Sequence, residues 1–176
     1  LSGFLSAAPH EASKTVSDWQ ELLERFRRGP ELVAAALTGA AGPEVDFRPE
    51  GRWSIRQIAA HLADSEIVLA ERLRRVLAED NPLLTAFDQN AWAERLDYAR
   101  RKPSQSLETF RRIRQENYEL IQDLTPEALQ RRARHSERGE ITVLDLVRGG
   151  AEHAERHSLQ IREVRSAYRN WKAQQA

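Results

Sequence analysis

Apolar residues recur at helical spacing through most of the chain, and no convincing two-residue alternation marks a strand. The first helical region is predicted from about Ser13 to Thr38, with Trp19, Leu22, Leu23, Phe26, Val33 and Leu37 on one face. Gly29-Pro30 is expected to break or kink it, because proline lacks the N–H that an interior turn uses. A turn-rich stretch from Gly39 to Arg52 follows, holding Gly42-Pro43 and Arg48-Pro49.

The second helix has the clearest start. Ser54 reads as an N-cap, Gln57 completes a capping box, and Trp53 can staple onto Ile58. The stripe Ile55, Ile58, Leu62, Ser65, Leu69, Leu73 and Val76 carries it to about Glu79. A third helix is predicted from about Ser104 to Asp123, and Thr125-Pro126-Glu127 starts a short helical piece. The fourth long helix repeats the start signature, with Thr142 as cap, Asp145 three residues on, and Ile141 placed to staple onto Leu146. Its seam, Val143, Val147, Gly150, Ala154, His157, Ile161, Val164, Tyr168 and Trp171, alternates steps of four and three, the pattern of a bundle helix.

About 24 residues, Asp80 to Pro103, separate the second and third helices, whereas adjacent antiparallel helices need about 2–8. A connection of that length can cross the whole bundle and leave those two helices parallel. The expected fold is therefore all-α, a four-helix bundle with a long crossover between helices 2 and 3. Leu83, Phe87, Trp92 and Tyr98 in the crossover suit a segment packed over the bundle. At 176 residues, one domain spanning 1–176 is expected, with residues 1–12 a loosely ordered N-terminus.

Charge narrows the partners. Lys+Arg and Asp+Glu are equal at 27 each, which gives no push toward nucleic acid or an anionic membrane. Pairs such as Arg74-Arg75 and Arg111-Arg112 have acids close by and read as solvated helix faces. No apolar run approaches the ~20 residues of a membrane span. Leu1 to Ala8 is too short for a signal peptide and lacks its basic flank, so a cytoplasmic location is expected. The chain has no methionine, so residue 1 is not expected to be the translated start, unless that start was removed. With no cysteine there is no disulfide, no zinc–thiolate site and no cysteine nucleophile. A metal site in this chain must use histidine, carboxylate, amide and water.

His153 and His157 lie four residues apart, so on a helix both imidazoles leave one face and can reach one ion. His157 occupies the inward seam, where a lone histidine is more often a hydrogen-bonded core residue. His153 beside it changes that balance, because two inward imidazoles repel if protonated and both need partners if neutral. Gly149-Gly150 just before the pair points to a close helix approach or an open cavity, with a simple kink as the alternative. His61 stands seven residues after its cap, and His153 and His157 stand eleven and fifteen after theirs. Those offsets differ by multiples of four, so the three share a phase and can meet if their helices are antiparallel neighbours. Spacing alone leaves two readings open, a shared metal or three unrelated side chains. The pair is not a zincin motif, because Ala154 stands where that motif has glutamate. Asp64 and Gln160 each follow a histidine by three and are the candidate catalytic residues. Either could serve as a fourth ligand, an acceptor behind a ligand, a water-orienting group, or an ordinary polar residue on a helix flank. His10 and His135 fall in predicted loops, and spacing does not link either to the site.

Taken together, these pieces resemble the DinB superfamily, in particular its YfiT-like group of small metal-binding four-helix bundles. The likeness runs from about Leu22 to Ala167. Its residues are Arg48-Pro49, Gly51, Trp53 to Ile58 and His61 to Glu66, then Asp80-Asn81-Pro82 and Phe87 to Trp92 in the crossover. His135, Gly139, Thr142, His153, His157 and Gln160-Ile161 complete it. The order and spacing, more than any one piece, carry the likeness. The resemblance implies one divalent metal ion, of the Zn, Ni or Fe kind, on His61, His153 and His157. It implies a homodimer, and either a thiol S-transferase or isomerase using a low-molecular-weight thiol or a candidate metal-dependent hydrolase. A small-molecule substrate is expected in each enzymatic case. The remaining alternative is a non-enzymatic stress-response binding module with a structural metal.

Overall fold

The computed structural model describes residues 9–175, with side chains from residue 18 onward. Residues 1–8, most of the N-terminal stretch expected to be loosely ordered, and the side chain of His10 lie outside the described residues. The long helices are α1 (Pro9–Leu37), α3 (Ile55–Ala78), α5 (Pro103–Ile121) and α7 (Val143–Ala173). Short helices α2 (Pro43–Asp46), α4 (Gln89–Arg95) and α6 (Pro126–Leu129) lie in the connections, with a 3-10 turn at Tyr98–Arg100.

Both predicted capping boxes form. The Ser54 side chain accepts from the Gln57 N–H while the Gln57 side chain accepts from the Ser54 N–H. Thr142 and Asp145 make the same reciprocal pair at the start of α7. Each box satisfies backbone donors that a helix start leaves without partners.

Paired residues give the helix directions. Arg56 reaches the carbonyl of Arg101, Glu66 binds Arg114, and Arg74 binds Asn117, so α3 and α5 run parallel. His61 lies against His153 and His157, and Leu69 against Gly150, so α3 and α7 are antiparallel. Arg25 meets Glu155 and Arg165 meets the Ala36 carbonyl, so α1 and α7 run parallel. The molecule is thus a four-helix bundle in which the 79–102 crossover carries the chain back along the bundle, the arrangement the long connection predicts.

Two features depart from the sequence reading. Of the break or kink expected at Gly29-Pro30, the break does not occur; α1 runs through it, with Pro30 inside. Proline removes the N–H that would bond the Phe26 carbonyl four residues earlier. Arg114 of α5 supplies the missing donor, its Nη1 lying 2.7 Å from the Phe26 oxygen. Gly29 lets the helices close over that contact, since a Cβ there would lie 2.8 Å from both Ala154 Cβ and Arg114 Nη1. A small sheet also forms, β1 (Leu83–Leu84) parallel to β2 (Arg132–His135), which pairs antiparallel with β3 (Gly139–Thr142). β1 is too short to alternate, and β2, buried at every second residue, does so over only four residues of a chain with helical periodicity on either side. Gly139 closes the hairpin at φ +73°, a left-handed conformation. The sheet ties the crossover to the start of α7.

Two apolar clusters fill the bundle. One gathers around Phe26, Leu73, Ile121 and Val147, the other around Val33, Ile58, Phe110 and Ile161. A buried polar group lies at their boundary, where Arg114 binds Glu66 through two nitrogens and Asn117 donates to the same carboxylate.

Candidate metal centre

His61 stands on the second turn of α3, in phase with its cap, and is buried. His153 and His157 stand one turn apart on α7 and are half-buried. Antiparallel packing brings the three rings together at one level. His61 Nε2 lies 3.0 Å from His153 Nε2, and His157 Nε2 lies 3.1 Å from the same atom. Among the described residues, this is the group of histidine and acidic side chains whose ligand atoms converge, all within 4.8 Å of one another.

Hydrogen bonding cannot satisfy this arrangement. A ring nitrogen carries either one proton or one lone pair, so His153 Nε2 can serve only one of its two close neighbours. Burial, the largest effect, pushes the His61 imidazole down to about 3 and the His153 imidazole down to about 2. Burial lowers His157 as well, against a smaller opposing effect of its bond to Gln160. All three are therefore neutral at pH 7, with lone pairs available. Three neutral lone pairs facing one another repel, and a shared cation removes the repulsion. Bonds of about 2.1 Å to one ion place neighbouring donor nitrogens about 3.0–3.4 Å apart, and the separations of 3.0 and 3.1 Å about His153 Nε2 fit a divalent metal.

Gln160 sets the His157 tautomer. Its Oε1 lies 2.7 Å from His157 Nδ1, so Nδ1–H donates to the amide and Nε2 keeps its lone pair. Asp64 has a different role. Its carboxylate accepts from the Tyr98 hydroxyl at 2.8 Å and from Arg101 at 2.7 Å, outside the converging group. It fastens the end of the crossover to α3, one turn from the histidine it was read beside.

Other neighbours escaped the sequence reading. Trp53 does more than staple the helix start: its ring sits 4.9 Å from that of His61. Ser65 places Oγ 3.3 Å from His61 Nδ1. The two glycines divide the roles expected of them. A Cβ on Gly150 would lie 2.8 Å from Phe26 and Leu69, so it permits close approach, while Gly149 has open space and faces a pocket. That pocket, of about 430 Å³, has His61 and His153 on its wall, and Phe87 of the crossover and His135 of β2 also line it. His135 thus belongs to the site's surroundings, brought there by a hairpin that was not legible in the spacing.

The fold and the sequence have known relatives. The chain is 34% identical over 150 residues to OB0413 of Oceanobacillus iheyensis, covering 84% of this chain and 86% of that one. It is 30% identical over 161 residues to YfiT of Bacillus subtilis, covering 89% and 88%. Both are named as candidate metal-dependent hydrolases. The solved structure of Bacillus subtilis YfiT, described as an unusual four-helix bundle, superposes with a TM-score of 0.79 at 22% identity, covering 96% of this chain and 93% of that one. The DinB superfamily model matches residues 25–161, a span that takes in α3 and α5 whole, parts of α1 and α7, and the three converging histidines. The chain belongs to the DinB superfamily and is YfiT-like.

Proposed function

We propose that His61, His153 and His157 hold one divalent ion through their Nε2 atoms, and that the chain transfers a small thiol to an electrophilic small molecule bound in the adjoining pocket. The observation that carries the reading is the convergence of three neutral imidazoles, in Nε2 contacts hydrogen bonds cannot satisfy, with His61 and His153 on the pocket wall. An ion bound there with an open position supplies Lewis acidity, which lowers the pKa of a thiol or water brought to it. The chain's own residues do the rest. Gln160 holds His157 in the ligating tautomer, Asp64 and Arg101 hold the crossover over the site, and Val68, Leu69 and Phe87 give the pocket an apolar wall.

The two buried acids beside the triad favour thiol transfer over hydrolysis. Glu66 is bound by Arg114 and Asn117, and Asp64 by Tyr98 and Arg101, so neither is free to take a proton from water. A thiol brings its own nucleophile, and a chain without cysteine must take that thiol from solution. Hydrolysis is the second reading, favoured by the names of the relatives. A homodimer belongs to the reading through the family likeness and is checked by light scattering.

Elemental analysis of native protein and of His61→Ala tests the site. Wild type is expected to hold about one metal per chain, and full retention in the variant rejects the triad. Metal-loaded protein is then given small thiols and an alkylating electrophile, and conjugate is followed by mass spectrometry. No conjugate with glutathione, coenzyme A or cysteinyl-sugar thiols sinks the transferase. Thiol-independent ester or amide cleavage that disappears in His157→Ala establishes the hydrolase instead.

A further inference from the structure

The pocket beside the histidines carries more positive charge than the triad requires. Arg72 of α3, Arg138 of the β2–β3 turn and Arg156 of α7 all line it. Among the described residues none of the three has a carboxylate within ion-pair distance, although most arginines of this chain do. Arg72 is half-buried and anchored by a 2.6 Å bond from Nη2 to the Thr85 carbonyl, so its charge is held in place at the pocket. Arg138 makes no side-chain hydrogen bond among the described residues and is exposed at the rim.

The acids on the lining cancel only part of this charge. Glu66 is spent on Arg114, and Asp145 on the Thr142 cap and Arg148. Glu137 and Glu152 are exposed and offset two of the three arginines, which leaves the lining about one positive charge in excess, with Arg72 its half-buried member. His135 responds to the local balance: burial lowers it most, then Arg72 and Arg138, with Glu137 a smaller effect in the other direction. Its Nδ1 accepts from the Glu137 N–H at 3.2 Å, so the neutral ring keeps its proton on Nε2 as a further donor.

We propose that this pocket is an oxyanion site, in which Arg72 and Arg138 bind the carboxylate or phosphate group of a small molecule and set its distance from the triad. The guanidinium fork matches a carboxylate or phosphate edge through two parallel N–H bonds. A volume of about 430 Å³ holds a small acid but not a macromolecular segment. The inference deepens the proposed function by naming the charge of the molecule acted on. It rests on that reading for the fate of the molecule and not for its binding.

The test is calorimetric titration of the full chain with succinate and with inorganic phosphate, and with succinamide as the neutral control. Binding of succinate, of phosphate or of both, falling about tenfold or more in Arg138→Glu and less in Arg138→Gln, is expected for loss of one charge-assisted contact. Which anion binds tells the carboxylate source from the phosphate source. Arg138 supports no other part of the described fold, and Arg72→Lys offers a second variant that keeps charge and loses the fork. Absence of binding by both anions overturns the inference, as does succinamide binding as well as succinate, or an affinity unchanged in Arg138→Glu. An affinity lost in His153→Ala but kept in Arg138→Glu places the anion at the histidines and also overturns it. Metal content is measured separately, so a chain that binds succinate but holds no metal fails the proposed function and leaves the oxyanion site standing.

Discussion

At the scale of single residues, Arg114 joins more of the molecule than any ligand does. It is 2% exposed, binds Glu66 through two nitrogens, and donates to the Phe26 and Gly150 carbonyls. One side chain therefore completes α1 where Pro30 leaves it open, and holds α7 one turn before His153. Arg114→Met leaves Glu66 as an unpaired buried carboxylate and is expected to cost about 3–5 kcal/mol, read from chemical denaturation. Adding Glu66→Gln should recover part of that loss, and a double-mutant cycle showing no coupling would falsify the linkage. Gln160 acts on the site itself. Gln160→Ala frees the His157 tautomer and should weaken metal binding about 10–100-fold, with unchanged unfolding of the metal-free chain. A competition titration with a chromogenic chelator checks it. The Gln160 role was partly legible, because a spacing of three on a helix places the two side chains together. The Arg114 role was not: nothing local to an arginine in α5 says that it supplies a donor missing from α1.

At the scale of elements, local rules were the readable part. Both capping boxes sit where Ser54-Gln57 and Thr142-Asp145 place them, and the four-three seam of α7 is buried from Val143 to Val164, with His157 half-buried among its apolar neighbours. The length of the Asp80–Pro103 link foretold parallel α3 and α5, because a short loop cannot return a chain to the same end. The sheet was hidden, since β1 and β2 are brought together from distant segments by pairing that no local pattern encodes. The caps make a graded prediction. Ser54→Ala and Thr142→Ala should each lower stability by about 1 kcal/mol. The Thr142 side chain, as the largest cause, holds the Asp145 carboxyl below its ordinary value. A depressed folded pKa means that the contribution is present above the unfolded value of about 3.9 and disappears as pH falls through the folded one. Stability measured from pH 6 downward should therefore drop less steeply in Asp145→Asn than in wild type. Equal slopes would remove Asp145 from the account.

At the scale of the whole molecule, the proposed ion joins two helices that are far apart in sequence. His61 lies on α3, reached before the crossover, and His153 and His157 lie on α7, reached after the hairpin. Without the ion, three neutral imidazoles are held against one another by the apolar packing of Ile58, Leu62, Ala154 and Ile161 around them. The family pattern made this triad legible as a set, while its antiparallel meeting followed from topology and not from any one segment. A ligand that binds only the folded chain adds stability by mass action, about 2.7 kcal/mol at a hundred times its dissociation constant. Zinc or nickel added to chelator-treated protein should therefore raise the melting temperature by several degrees, in proportion to the logarithm of metal concentration. His61→Ala should abolish most of that increment, because the two histidines remaining on α7 no longer connect it to α3. His135→Ala should leave the increment intact, since that ring lines the pocket without joining the converging group. A metal-dependent rise of equal size in His61→Ala would show that the ion sits on α7 alone, and the bridging account of the bundle would fall with it.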